Sequence, residues 1–130
     1  MTVALPDTES HAPTLAFTLV LGTIMAIGPL TIDLYLPAFP QIVRDLTATQ
    51  GQVQYTLAVY LFGLALGQAL YGPVADKYGR RAPLLGGLAL YIAGALLCAL
   101  APSIQVLIAG RLVQALGGAA SAVIVSAVVR

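Results

Sequence analysis

Residues 46–75 read LTATQGQVQYTLAVYLFGLALGQALYGPVA, a run of 30 positions without a charged side chain. A helix rises ~1.5 Å per residue, so about 20 apolar residues cross a ~30 Å hydrocarbon slab. The next stretch, 82–110, supplies 29 more uncharged positions, and outward from this pair the runs 12–32 and 112–129 add 21 and 18. All are continuous and rich in Leu, Ala and Gly, without the polar alternation of a membrane β-barrel strand. The pattern predicts an all-α membrane protein with four transmembrane helices, at about 16–38, 53–73, 83–101 and 105–128.

Composition agrees. The 130 residues carry 6 basic and 5 acidic side chains, where a soluble domain is about a quarter charged. A hydrophobic share of 59% is more than a small globule can hide from water. A net charge of +1 excludes an electrostatic nucleic-acid binder. The single cysteine, Cys98, excludes an internal disulfide framework and a cysteine-based zinc cluster. No phosphate-cradle motif is present, and Gly117-Gly118 reads as a packing site. No convergent His, Ser/Lys or multi-Asp constellation marks an enzyme, so none is expected, and no cofactor or metal is. The first span is too long for a signal-peptide h-region, and the tail before it holds Asp7, Glu9 and His11 but no Lys or Arg.

The basic residues set an orientation. Segments on one side of the slab (tail 1–14, loop 74–82, C-terminal end) hold four Lys/Arg: Lys77, Arg80, Arg81 and Arg130. The other side (loop 39–52, turn near Pro102) holds Arg44 alone. The positive-inside bias places the N-terminus in the cytoplasm. Pro37 and Pro40 are expected to end the first helix. Thr47 or Thr49 starts the second, and Pro83 sits in the first turn of the third. Small residues at four-residue spacing mark packing faces: Gly63/Gly67 with Ala65/Ala69, Ala95/Ala99, and Ala115/Ala119.

Two charges fall inside spans. Asp33 costs about 2.5–3.5 kcal/mol on insertion scales if central, so it is expected to face a cavity or partner, with its pKa raised by desolvation; the alternative is hydration near the interface. Arg111 lies about seven residues into the fourth helix, roughly 10 Å deep, at a depth similar to Asp33 on an antiparallel helix. The two are natural partners, either in a structural bridge or in one broken by protonation or a ligand. Gln114, at i+3, shares the Arg111 face. Tyr35 and Tyr60 are weaker cavity candidates, Tyr60 serving equally as a packing residue. The loop Gly72 to Leu84, with Asp76, Lys77, Gly79, Arg80 and Arg81, is a tight connection whose bland role is a topology anchor.

That loop resembles motif A of the major facilitator superfamily, Gly-x-Leu-Ala-Asp-Arg-x-Gly-Arg-Arg-x-x-Leu, with Val74 for the usual Leu and Lys77 for the usual Arg. Leu107 to Gly118, containing Arg111, Gln114 and Gly117-Gly118, resembles motif B, Arg-x-x-Gln-Gly, with Ala115 for the usual Gly. Gly28 to Pro40, with Gly67-Gln68 and Tyr71-Gly72-Pro73, is similar to the twelve-helix drug:proton antiporters, in particular the bicyclomycin-resistance (Bcr/CflA) branch. The resemblance covers nearly all the chain after residue 14 and makes it the start of an N-terminal six-helix half. It implies a multi-pass protein of the cell inner membrane, part of a proton-coupled multidrug efflux transporter working by alternating access, with small hydrophobic or cationic drugs as substrates. Protons would be the coupling ion. By the same resemblance Arg111 is a proton-coupling residue, and Asp33 lines the central cavity. Gly72, Asp76, Gly79, Arg80 and Arg81 form an inner gate, whose charge network in the family continues just past the fourth helix. The family's two six-helix halves exceed four helices, so a fragment needing further helices for transport is expected. The competing class is a truncated, non-transporting membrane remnant or structural module.

Overall fold

A computed structural model describes residues 14–130; the tail carrying Asp7, Glu9 and His11 lies outside the described residues. The described chain forms α1 (Leu15–Tyr35), a 3₁₀ turn (Leu36–Ala38), α2 (Phe39–Asp45), α3 (Gln50–Tyr78), α4 (Arg81–Ala99) and α5 (Ile104–Val129). Four helical segments, the first running Leu15–Asp45, are long and apolar enough to cross a membrane.

The prolines do not end the first span as expected. The α-helix stops at Tyr35, but Pro37 and Pro40 each sit at the first or second position of the next helical segment. There the missing N–H has no intrahelical partner to lose, so the chain continues helically to Asp45. Tyr35 and Phe39 pack edge to face across this junction, centroids 5.2 Å apart. Thr47 then takes a positive φ of 48°, which turns the chain into Thr49. Thr49 Oγ1 accepts from the Gln52 backbone N–H at 3.2 Å, and Gln52 Oε1 accepts from the Thr49 N–H at 2.9 Å. This reciprocal capping box starts α3 at Gln50, three residues before the expected 53.

α3 runs through Pro73 to Tyr78, beyond the expected end at 73. Membrane helices tolerate an interior proline because neighbouring groups satisfy the freed carbonyl. The expected loop 74–82 therefore shrinks to Gly79 and Arg80. Gly79 takes φ +82° and ψ 174°, a region essentially confined to glycine. α4 and α5 fall within two residues of their expected bounds.

α5 is the central helix, flanked by α3 and α4, with α1 crossing it over a shorter contact. Gly63 and Gly67 of α3 meet Ala115 and Ala119 of α5: a Cβ at either glycine would stand 2.8 or 2.5 Å from the alanine methyl. The two predicted small-residue stripes are thus partners in one interface. On α4 the packing stripe is Gly87, Tyr91, Gly94 and Cys98, not Ala95/Ala99, and Ala65, Ala69 and Ala99 are exposed. Gly94 lies against the Gln114 backbone, Gly87 against Ala120, and Gly110 of α5 against Cys98. Such contacts replace the hydrophobic drive that lipid removes.

A caged guanidinium and a separate carboxylate groove

The close helix approach carries polar side chains into the bundle. Thr56, Tyr60, Gly63 and Gly67 fall on one stripe of α3, and Leu107, Arg111, Gln114 and Gly118 repeat the same spacing on α5. Arg111 is only 7% exposed. Its guanidinium carbon lies 3.6 Å from the Tyr35 ring centroid and 5.6 Å from that of Tyr60. Its Nη1 donates to Gln114 Oε1 at 3.2 Å. Desolvated cation–π contacts are worth about 2 kcal/mol or more, which offsets part of the cost of a buried charge.

The cage is itself held by hydrogen bonds. Thr56 donates its proton to the Val53 carbonyl at 2.6 Å, so Tyr35 donates to Thr56 Oγ1. Thr31 donates to the Ile27 carbonyl at 2.6 Å, so Tyr91 donates to Thr31 Oγ1 at 2.5 Å. These two bonds tie α1 to α3 and α4 and fix the Tyr35 ring over Arg111. Arg111 Nε and the buried Tyr60 hydroxyl form no hydrogen bond.

Asp33 is not part of this cage. Among the described residues Arg111 makes no ion pair; its contacts are the two rings and Gln114. The expected Asp33–Arg111 bridge fails on facing rather than depth. Tyr35, two residues from Asp33, stacks on Arg111, so the levels match. A helix has ~3.6 residues per turn, so Asp33 is turned about 200° from both Thr31 and Tyr35, which occupy the inward face. Asp33 is exposed and lines a groove of about 370 Å³ between α1, α3 and α5, with Ile32, Leu64, Gln68 and Ser121. The Ser121 hydroxyl is spent on the Gly118 carbonyl at 2.7 Å.

Of the sequence candidates, Arg111, Gln114, Tyr35 and Tyr60 therefore come together, and Asp33 stands apart. Asp76, Gly79, Arg80 and Arg81 are exposed at or next to the α3–α4 turn, whereas Gly72 lies half-buried about two turns earlier, inside α3. Asp76 forms no ion pair with Lys77 or Arg80 among the described residues, and Lys77 Nζ instead lies 5.2 Å over the Tyr78 ring. Thr31, Thr56, Tyr91 and Cys98 were not singled out as site residues from sequence. The signal was their spacing: extending Gly63/Gly67 by helical steps toward the N-terminus reaches Tyr60 and Thr56, and Tyr91 and Cys98 alternate with Gly87 and Gly94 in the same way.

Residues 18–130 match the family profile described as Major Facilitator Superfamily. The chain is 44% identical over 124 residues to the "Uncharacterized MFS-type transporter YdgK" of Bacillus subtilis (strain 168), covering 92% of this chain and 31% of that protein. It is 37% identical over 117 residues to the "Bicyclomycin resistance protein homolog" of Haemophilus influenzae, with coverages of 90% and 29%. It is 36% identical over 107 residues to the "Multidrug resistance protein MdtL" of Escherichia coli (strain K12 / DH10B), with coverages of 82% and 27%. The chain thus spans less than a third of the length of these curated relatives. No solved structure matches it significantly.

Proposed function

Because this chain belongs to the Major Facilitator Superfamily, we propose that it forms part of a small-molecule exporter that exchanges hydrophobic or cationic drugs for protons by alternating access. The relatives named for bicyclomycin and multidrug resistance support the substrate class. The observation that carries the coupling is the separation of charge across α1: a fixed, caged guanidinium on one side and, on the other, a carboxylate in a groove with no ion pair among the described residues.

In this reading Asp33 exchanges a proton against a cationic substrate group. Deprotonated, it attracts the cation; protonated, it releases it. Arg111 keeps its charge through the cycle, and its field reaches the groove through the low-dielectric bundle. Tyr35 and Tyr60 hold that charge in place, and Gln114 orients it. Rocking of helical repeats around the site would expose the groove to either side in turn. The α3–α4 turn would lie in the cytoplasm of the inner membrane, following its basic residues, and Asp76, Arg80 and Arg81 would contribute to a latch there with groups from further helices. Inward proton movement is also driven by the membrane potential, about 2.3 kcal/mol per charge per 100 mV.

The test uses everted membrane vesicles from cells expressing the complete reading frame that encodes these residues. Drug addition should collapse an imposed proton gradient. Asp33→Asn should abolish the drug-dependent proton movement while membrane insertion stays intact. Proton movement unchanged in Asp33→Asn would remove Asp33 from coupling, and its absence in the unsubstituted protein would favour a non-transporting membrane module.

A further inference from the structure

Gln68 is the feature that the coupling argument leaves unused. It is exposed on a membrane-spanning helix and makes no hydrogen bond among the described residues. An amide on a membrane-spanning helix needs a hydrogen-bonding partner to offset its desolvation, and Gln68 faces the groove that Asp33 lines. Of the groove's lining side chains only Asp33 is charged and only Gln68 has uncommitted N–H donors, since the Ser121 proton goes to the Gly118 carbonyl and leaves that hydroxyl an acceptor alone. The stretch between them is apolar, lined by Pro29, Ile32 and Leu64 on a small-residue floor of Gly118 and Ala122. Its volume of about 370 Å³ is within the range of small-ligand sites.

The two polar groups sit at opposite ends. Tyr35 of α1 bonds Thr56 of α3, which sets a common level. From there Asp33 is two residues deeper along α1 and Gln68 twelve residues deeper along α3, about 3 Å and about 18 Å at ~1.5 Å per residue. Their backbone levels thus differ by about 15 Å; side chains lean toward the N-terminus of their own helix, and the helices are antiparallel, so the carboxylate and amide lean toward each other across that interval.

We propose that this groove is a two-point substrate site in which Asp33 holds a cationic nitrogen and Gln68 holds a hydrogen-bonding group further along the groove, across an apolar spacer. The substrate class is therefore the elongated amphiphilic cation with a distal amide, carbonyl or hydroxyl. Arg111 does not repel such a cation at close range, because its guanidinium is caged on the opposite side of α1. The inference rests on the proposed exporter function and adds a specificity-determining residue to it.

Vesicles containing the complete transporter would be tested with tetraphenylphosphonium and a series of quaternary ammoniums bearing a terminal amide on spacers of increasing length. The unsubstituted protein should prefer one intermediate spacer. Gln68→Ala should flatten that optimum, lowering the preference for the best amide over tetraphenylphosphonium by about 10-fold, the worth of one hydrogen bond in a water-poor site. Gln68→Asn, which draws the amide back by one methylene, should shift the optimum to a longer spacer and shows that the site still folds. Asp33→Asn should weaken every cation in the series. An unchanged spacer profile in both Gln68 variants, with all cations still lost in Asp33→Asn, would overturn the two-point site but leave the exporter reading standing. Full transport of all cations in Asp33→Asn would overturn both.

Discussion

A methyl group at Gly94 should disorder Arg111 without touching it. The Cβ of Gly94→Ala would stand 2.6 Å from the Gln114 Cα and 2.8 Å from its Cβ. Carbon atoms rest about 3.5–4.0 Å apart. The clash is with backbone, so no rotamer change relieves it, and α4 and α5 must separate by about 1 Å. A gap of that size forfeits about a quarter to a half of the dispersion at each contact it opens. Overpacking of this kind costs typically about 1–3 kcal/mol. The displaced residue, Gln114, accepts the Arg111 Nη1 bond at 3.2 Å, so the shift lengthens that bond as well. Gly86→Ala is the matched control: it lies one position from Gly87 on the same helix, and nothing stands within 4 Å of its Cβ. Cys98, the single cysteine, is half-buried at the same α4–α5 contact, so a thiol-reactive fluorophore reports the opening of this interface directly. In detergent, Gly94→Ala should label and unfold at clearly lower temperature than the parent, while Gly86→Ala should match the parent. Equal unfolding temperatures for the two variants would refute the close α4–α5 approach on which the placement of Gln114 depends.

Two more perturbations follow from the same geometry. Tyr35→Phe keeps the ring over Arg111 and loses only the bond to Thr56, a cost of about 1 kcal/mol; Tyr35→Leu loses the cation–π contact too, about 2 kcal/mol more. Equal losses in the thiol-labelling assay would show that the 3.6 Å stack carries no energy. Thr49→Ala breaks the capping box and costs about 1 kcal/mol, so amide exchange in the first turn of α3 should speed about fivefold while exchange around Gly63 stays unchanged.

The fold was legible in the sequence because lipid imposes a simple length rule on apolar runs. Four charge-free stretches were enough to place four spans. Helix ends were less legible, because proline has opposite meanings in different positions: Pro37 and Pro40, expected to end the first helix, begin new helical segments, and Pro73 lies inside α3. The Gly63/Gly67 and Ala115/Ala119 stripes were visible singly, but their pairing required the relative rotation of α3 and α5. The Arg111–Gln114 contact followed from i+3 spacing. The partner of Arg111 did not, since depth along two helices can be counted from sequence while facing depends on where each helix is pinned. Thr31 and Tyr35 pin α1 through Tyr91 and Thr56, and that rotation carries Asp33 away from the guanidinium.

That rotation changes what the two charges can do. A direct bridge would cancel the guanidinium charge locally, and opening it would leave both ions unpaired in a low-dielectric medium, a cost of several kcal/mol at each step of a cycle. Caging Arg111 between aromatic faces avoids this. The rings stabilise the cation without neutralising it, so its field persists in every state of Asp33. The carboxylate in turn is left open to the groove, where, on the proposed reading, a proton and a cation compete for it. On the proposed reading, the side of α1 that meets α4 holds the permanent charge and the side that meets the groove holds the exchangeable one, with the backbone between Thr31 and Tyr35 as the partition. Exchange then needs no ion pair to break, and the coupling strength depends on how firmly Tyr35, Tyr60 and Gln114 keep the guanidinium in place.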